Sequence, residues 1–392
     1  MNIQDINILF RNNTGNKEKA SLIEGFIIRT KIFEAVYNDL SKPWTNQKNL
    51  NYLIIGQRGS GKTTLLYRLK YAIEDFLPLD GIIIPIMFSE EQYHISELEN
   101  LWEGIADALD EFRDFKGIKA EVELHVFDNS YEQKAISIIE QSLKKAGKKI
   151  IIFLENIDAF FKKIGSPGQT RLKEVLSGSN YIKLVASSTT YFESVLDASK
   201  PFYDFFKVVE LNGLTKKECI ALLLKIGDQF GKREKIESII ATSPKRIESL
   251  RRLTGGNPRT ISYLFQIFLD NENGKALKDL YQLIDTLTFL YKAELDQLST
   301  QQQKVIDAIA RNWDAISVKE IVLKTRYESK QISSILNTLE KNQLIEVIFT
   351  KQKIIYIENS REVFKYLVLM RFGKKQEKEN VVWLVRFLRC MV

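Results

Sequence analysis

Seven prolines in 392 residues leave no material for a Pro-rich linker, and two cysteines, Cys219 and Cys390, exclude a disulfide framework in a chain of this length. The two histidines, His94 and His125, stand apart, which excludes a zinc site built on clustered Cys and His. Apolar runs stop well short of the ~18–20 residues that cross a bilayer, so no membrane span is expected. Met1–Arg11 has no basic stretch leading into an apolar one, so no signal peptide is expected. The expectation is a soluble, cytoplasmic protein in reducing surroundings.

What remains is ordinary globular material, 44% hydrophobic and 27% charged. At ~100–200 residues per domain the length accommodates two or three. Net charge is +7, and Tyr291–Val392 holds 18 Lys and Arg against 12 Asp and Glu, so the last quarter carries nearly all of the excess. Such an excess attracts polyanions without specificity, and a solvated Lys-rich face would look the same.

No internal repeat is visible. After a polar start, Thr30–Leu40 has helical character. Asn51–Ile55, Gly81–Phe88, Lys149–Leu154, Ile182–Ser187 and Val208–Leu211 read as short apolar strands, and Pro85 suggests an edge or a bulge. Between them Thr63–Asp75, Ile95–Phe112, Glu132–Lys145 and Thr170–Leu176 have helical spacing, while Arg113–Tyr131 reads as irregular. Strands apolar on both faces, alternating with helices, predict a parallel α/β sheet covered on both sides. Beyond Leu211 the spacing is helical: Thr215–Phe230, Pro244–Leu253, Pro258–Asp270 and a long helix over about Lys275–Leu298.

Between the first strand and the following helix, Gly56–Thr63 reads GQRGSGKT, the GxxxxGK[ST] pattern. Its glycines let successive backbone N–H groups converge on phosphates, and the helix N-terminus adds its dipole. The candidate nucleotide contacts are Gly56, Gln57, Arg58, Gly59, Ser60, Gly61, Lys62, Thr63 and Thr64. Lys62 would reach the β- and γ-phosphates of ATP, and the Thr63 hydroxyl would ligate Mg²⁺. Lys149–Asp158 reads KIIIFLENID, so Glu155 is the first acid after a buried strand and the second candidate for the metal. Asn156 occupies the place where an ATPase commonly sets a carboxylate to orient water. Asp158 could substitute for it or cap the next helix. Lys183–Thr190 (KLVASSTT) ends a strand in hydroxyls, so Ser188 or Thr189 could report on the γ-phosphate or cap a helix. In TGGNPRT, Pro258 opens a helix and Arg259 sits in its first turn, against the dipole unless an anion is near.

Together GQRGSGKT, IIIFLENID, LVASSTT and GGNPR resemble the AAA+/STAND class of P-loop ATPases, nearest to prokaryotic archaeal-type and initiator-like members with a lid and a winged helix. The resemblance covers about Ser21–Tyr366. It implies a P-loop NTPase parallel sheet with helices on both faces, an α-helical lid and a winged-helix domain. It also implies a Walker B role for Glu155, sensor 1 at Ser188 or Thr189, and sensor 2 at Arg259. Two departures stand out. The acidic pair is Glu155-Asn156, and Tyr191–Phe206 contains Lys200 but no Arg, where a ring-forming member places its trans-acting finger. Both imply slow hydrolysis.

Ser299–Asn312, Ser317–Lys324 and Ser329–Lys341 read as helices, followed by strands Leu344–Thr350 and Lys353–Ile357, the winged-helix order. Ile332, Ile335, Leu336 and Leu339 form the buried stripe of the third helix. Lys330, Ser333, Ser334, Asn337 and Lys341 face outward, and Lys351 and Lys353 lie on the hairpin. These could hold double-stranded DNA, or the module could be a lever that binds only protein. A protein partner or homo-oligomer in the ATP state is expected as well. The expected organisation is a loose segment 1–20, an ATPase core 21–212, a lid with its long connecting helix 213–298, a winged helix 299–359, and a basic, apolar tail 360–392.

Overall fold

A computed structural model describes residues 18–42, 44, 51–75, 82–89, 97–269, 292, 295–312, 316–342, 344–349, 355–359, 368 and 379. They form two compact units: the described residues up to Ile55 together with Lys62–Glu210, and Gly56–Gly61 together with the described residues from Leu211 on.

The first unit opens with α1 (Lys19–Gly25) and α2 (Thr30–Leu40) and then alternates strand and helix. The order is β1 (Tyr52–Ile55), α3 (Lys62–Glu74), β2 (Ile83–Phe88), α4 (Leu98–Asp110), α5 (Ile118–Glu123), α6 (Tyr131–Ala146), β3 (Lys149–Leu154), α7 (Ile157–Gly178), β4 (Ile182–Ser188), α8 (Glu193–Leu196) and β5 (Lys207–Glu210). The strands pair in parallel in the order β2-β3-β4-β1-β5. Pro85, which has no N–H to give a ladder, accordingly lies on an edge strand. The central β1, β3 and β4 are buried along almost their whole length. This accounts for their apolar, non-alternating sequence.

One core gathers alternate residues of these strands with Leu101, Trp102, Ile105 and Leu109 of α4 and Phe161, Leu172 and Leu176 of α7. Each such side chain contributes roughly 1.5–3 kcal/mol on burial. Two expectations need correction. The segment Arg113–Tyr131 contains α5, whose Ile118 and Val122 are buried. The helix expected at Thr170–Leu176 begins at Ile157, and its halves meet at a break where Gly165 takes φ 60° and ψ −176° ahead of Pro167.

The second unit begins with four helices, α9 (Lys216–Gln229), α10 (Arg233–Thr242), α11 (Pro244–Leu253) and α12 (Pro258–Leu269). Of these only α10 escaped the sequence reading. Thr215 and Glu218 cap α9 reciprocally. The long helix expected over Lys275–Leu298 lies largely outside the described residues. Then come α13 (Thr300–Ala310), β6 (Ile316–Ser317), α14 (Val318–Thr325), α15 (Ser329–Lys341), β7 (Ile345–Phe349) and β8 (Ile355–Asn359). The strands form an antiparallel sheet in the order β6-β8-β7. This is a winged helix, with Ser299 and Ser317 starting α13 and α14 through capping boxes. Ile332, Ile335, Leu336 and Leu339 are buried as the spacing requires. Among the described residues no helix is long and apolar enough to cross a membrane.

At the start of the first unit's sheet, Asp39 accepts hydrogen bonds from Lys207, from Lys42 at 2.8 Å and from the Tyr52 hydroxyl at 2.6 Å. The bond from Lys207 first, then those from Lys42 and Tyr52, hold the Asp39 carboxyl far below its ordinary range. Its depressed folded value makes its contribution complete above the unfolded carboxylate pKa of ~3.9 and removes it as pH falls from there. The melting temperature of Asp39→Asn should lie below that of the unaltered chain at neutral pH, and the gap should close as pH drops below about 4. A gap independent of pH would contradict this.

Candidate functional site

The register of the parallel sheet lines up the candidate residues of the first unit. Strand β4 lies between β1 and β3, with Ser188 opposite Ile55 and Ala186 opposite Leu154. The carboxyl ends of three neighbouring strands therefore finish in Ile55, Ser188 and Leu154, the side where open α/β sheets bind ligands. Glu155 follows Leu154, and its N–H donates to the Phe88 carbonyl at 3.1 Å. Its carboxylate, 9% exposed, accepts a hydrogen bond from the Thr63 hydroxyl. Lys62 and Thr63 open α3, whose first N–H groups have no acceptor within the helix. Lys62 is buried, and Thr63 and Thr64 are half-buried. A hydroxyl and a carboxylate converging in this way suit Mg²⁺, a hard cation that takes few protein oxygens and keeps several waters.

Asn156 has φ 50° and ψ 49°, the left-handed region, immediately before α7. Asn and Asp tolerate this conformation better than other residues with a side chain. The identity of Asn156 therefore has a backbone reason independent of the chemistry of water activation. Asp158, in the first turn of α7, does not cap the helix; it accepts a hydrogen bond from the Ser188 hydroxyl at 3.0 Å. The same hydroxyl lies 2.7 Å from the Thr190 carbonyl, an alternative acceptor for its single proton. Ser188 is fully buried and makes no helix cap, since the next helix, α8, starts after Phe192 without a side-chain cap. Thr189 lies beyond the strand end, and Lys200 pairs with Glu193 at 2.9 Å.

In the second unit the loop Gly56–Gly61 packs against the TGGNPRT turn. Gly59 has φ +83°, and a Cβ there would stand 2.7 Å from the Arg259 Cβ and 3.0 Å from Asn257 Oδ1. The Arg259 N–H donates to the Gly59 carbonyl at 3.3 Å. Asn257 is 3% exposed, and its amide donates to the Arg58 carbonyl at 3.0 Å while Oδ1 accepts from the Thr260 N–H at 3.2 Å. One side chain thus caps α12 and holds the loop backbone. Asn257 was missed in the sequence, although an Asn before a helix-opening Pro is an N-cap signal. Ser60 Oγ is buried and has no hydrogen-bond partner among the described residues, a donor that an added acceptor would satisfy. Gln57 donates to the Asn342 carbonyl at the end of α15, at 3.4 Å.

On the winged helix, Lys330, Ser333, Ser334, Asn337 and Lys341 are all exposed along one side of α15. Arg326, unremarked in the sequence, is exposed in a left-handed turn between α14 and α15 (φ 61°), and Lys304 lies over the Tyr327 ring at 4.7 Å. Leu323 is 70% exposed on α14. Lys351, Lys353 and the tail 381–392 lie outside the described residues.

No protein-family model and no curated protein matches the chain. Among solved structures it is similar to the Orc1 protein of Aeropyrum pernix in complex with DNA, at 14% identity and a TM-score of 0.44, over 93% of this chain and 94% of that one. It is also similar to Cdc6p of Pyrobaculum aerophilum, at 14% and 0.41 over 91% and 95%. A third likeness is to a STAND protein of Pyrococcus horikoshii with a tetratricopeptide repeat sensor, at 15% and 0.36, covering 92% of this chain but only 44% of that one. These are likenesses at low identity, each with a TM-score below 0.5.

If backbone torsion selects Asn156, then Asn156→Gly should leave stability near that of the unaltered chain, whereas Asn156→Ala should cost ~1–2 kcal/mol. Denaturant midpoints measure both. Equal midpoints for the two variants would remove the torsional account.

Proposed function

We propose that the chain is an ATP-binding molecular switch that hydrolyses slowly and associates with duplex DNA through its winged helix. The observation that carries the nucleotide reading is the Thr63–Glu155 hydrogen bond. It joins the hydroxyl of the GxxxxGK[ST] motif to the acid that follows the buried strand β3. In this reading the loop N–H groups and Lys62 hold the phosphates, Thr63 and Glu155 hold Mg²⁺ directly or through water, and Ser188 positions Asp158. The bound metal would neutralise charge on the phosphates. Arg259, whose backbone meets Gly59, would register the bound phosphates for the helices that follow. The bond from Gln57 to the end of α15 supports a switch that reaches the winged helix.

Slow hydrolysis rests on two features. Asn156 orients water but is too weak a base to take its proton, a contribution worth roughly 10²–10⁴ in rate. Tyr191–Phe206 supplies no Arg, and its Lys200 is held by Glu193. A partner or second copy would supply the missing charge. The DNA reading rests on the exposed polar and basic face of α15 and the adjacent Arg326. The exposed Leu323 favours a second reading, in which the winged helix binds protein only.

Lys62→Ala should weaken ATP binding by roughly tenfold or more, the loss of one charge-assisted contact of ~1.5–3 kcal/mol. Titration with a fluorescent ATP analogue measures it, and unchanged affinity would overturn the nucleotide reading. Steady-state phosphate release by the isolated chain should fall well below the ~1–100 s⁻¹ of efficient phosphoryl-transfer enzymes. A turnover near 1 s⁻¹ contradicts this, and a large loss on Asp158→Ala alone would give Asp158 the base role. Neutralising Lys330, Lys341, Lys351 and Lys353 should flatten the salt dependence of duplex DNA binding by up to ~3–4 units of slope. An unchanged slope, or no binding at low salt, favours the protein-only reading.

A further inference from the structure

All five strands of the parallel sheet start along one edge, opposite the ends that carry Glu155 and Ser188. On one face of that edge the register collects lysines. Ile151 pairs with Lys183, so Lys149, two residues before Ile151, projects from the same face as a diagonal neighbour of Lys183. Tyr52 pairs with Val185 and with Lys207, which places Tyr52 and Lys207 on that face as well.

The two halves of this edge are neutralised differently. Lys207 shares Asp39 with Lys42 and Tyr52. Lys149 and Lys183 meet no carboxylate or other hydrogen-bond acceptor among the described residues. Their ammonium groups lie instead over the Trp44 ring, 5.1 and 5.7 Å from its centroid. The ring is held in place by its indole N–H, which donates to the Leu40 carbonyl at 3.3 Å. Trp44 is 6% exposed and Lys183 7%. Burial first, and then the neighbouring Lys149 charge, pulls the Lys183 amine below the ordinary lysine range. Lys144 and Lys145 are exposed in the last turn of α6, which runs directly into β3, and add positive charge there. Lys148 is spent on Asp114 at 2.6 Å.

We propose that Lys149, Lys183 and Trp44 form a binding site for a small doubly charged oxyanion, a phosphate either free or as a monoester. A buried ammonium is stable only when it is paired, and a cation–π contact satisfies its charge without using its three N–H donors. One dianion neutralises both lysines at once, which a single carboxylate cannot do. Both ammonium groups, held beside one ring, would give charge-assisted bonds to such an oxyanion.

Trace acylation of the full chain, followed by peptide mass spectrometry, tests this residue by residue, so that phosphate bound at the GxxxxGK[ST] loop does not interfere. Inorganic phosphate at about ten times its Kd should slow acylation of Lys183 by roughly tenfold relative to chloride of equal ionic strength. Lys144 and Lys145 should be unaffected. Lys149→Met should abolish the protection, and Lys149→Arg should keep it. Protection by phosphate assigns a free anion, and protection by a phosphoserine peptide but not by phosphate assigns a phosphorylated partner. Equal acylation of Lys183 in phosphate, phosphoserine peptide and chloride overturns the site, as does full protection in Lys149→Met.

Discussion

The parallel pairing of β3, β4 and β1 is the constraint on which the first unit's chemistry depends. The register that sets Ser188 opposite Ile55 and Ala186 opposite Leu154 brings Glu155 and Ser188 to the ends of adjacent strands. A one-residue slip of any of these strands would exchange the side chains packed on its two buried faces. The candidate site residues thus inherit their placement from the apolar side chains of these strands. The same register determines the other edge, where Lys149, Lys183 and Lys207 emerge on one face.

Around that frame the carboxylates have separate tasks. Glu155 is bound by Thr63, Asp158 by Ser188, and Asp39 by three donors at the far edge. Asn156 has no acidic counterpart and sits in a conformation that few residues adopt. Torsion at that position favours Asn or Asp over other residues with a side chain. In the second unit Asn257 plays the corresponding organising part, since its amide and carbonyl join the Gly56–Gly61 loop to the start of α12.

Much of the fold was legible because its signals are local. Buried strands read as continuous apolar runs, and Pro85 announced an edge strand from the one thing proline lacks. The stripe of α15 followed from 3.6-residue spacing. The run ending in hydroxyls was read as a strand end, and β4 ends at Ser188. What stayed hidden depends on contacts between distant segments. Helix α5 is short, and its Ile118 and Val122 look unremarkable until α4 and α6 cover them. The two-residue strand β6 exists only because β8 pairs with it. The bond from Asn257 to Arg58 and the position of Lys183 over Trp44 each join segments far apart in the chain. The partner of Ser188 was likewise unreadable, since 30 residues separate it from Asp158.

The position of β1 also has a consequence for synthesis on the ribosome. Its pairing with β4 spans 133 residues, the separation between Asn51 and Leu184 across their hydrogen bond. At ~5–20 residues per second, the apolar segment Tyr52–Ile55 leads its first sheet neighbour by roughly 7–27 s. During that interval β2 and β3 become able to pair, so the sheet grows inward from one edge and closes last around β1. The nascent chain therefore carries β1 without a sheet partner for longer than β2 waits for β3.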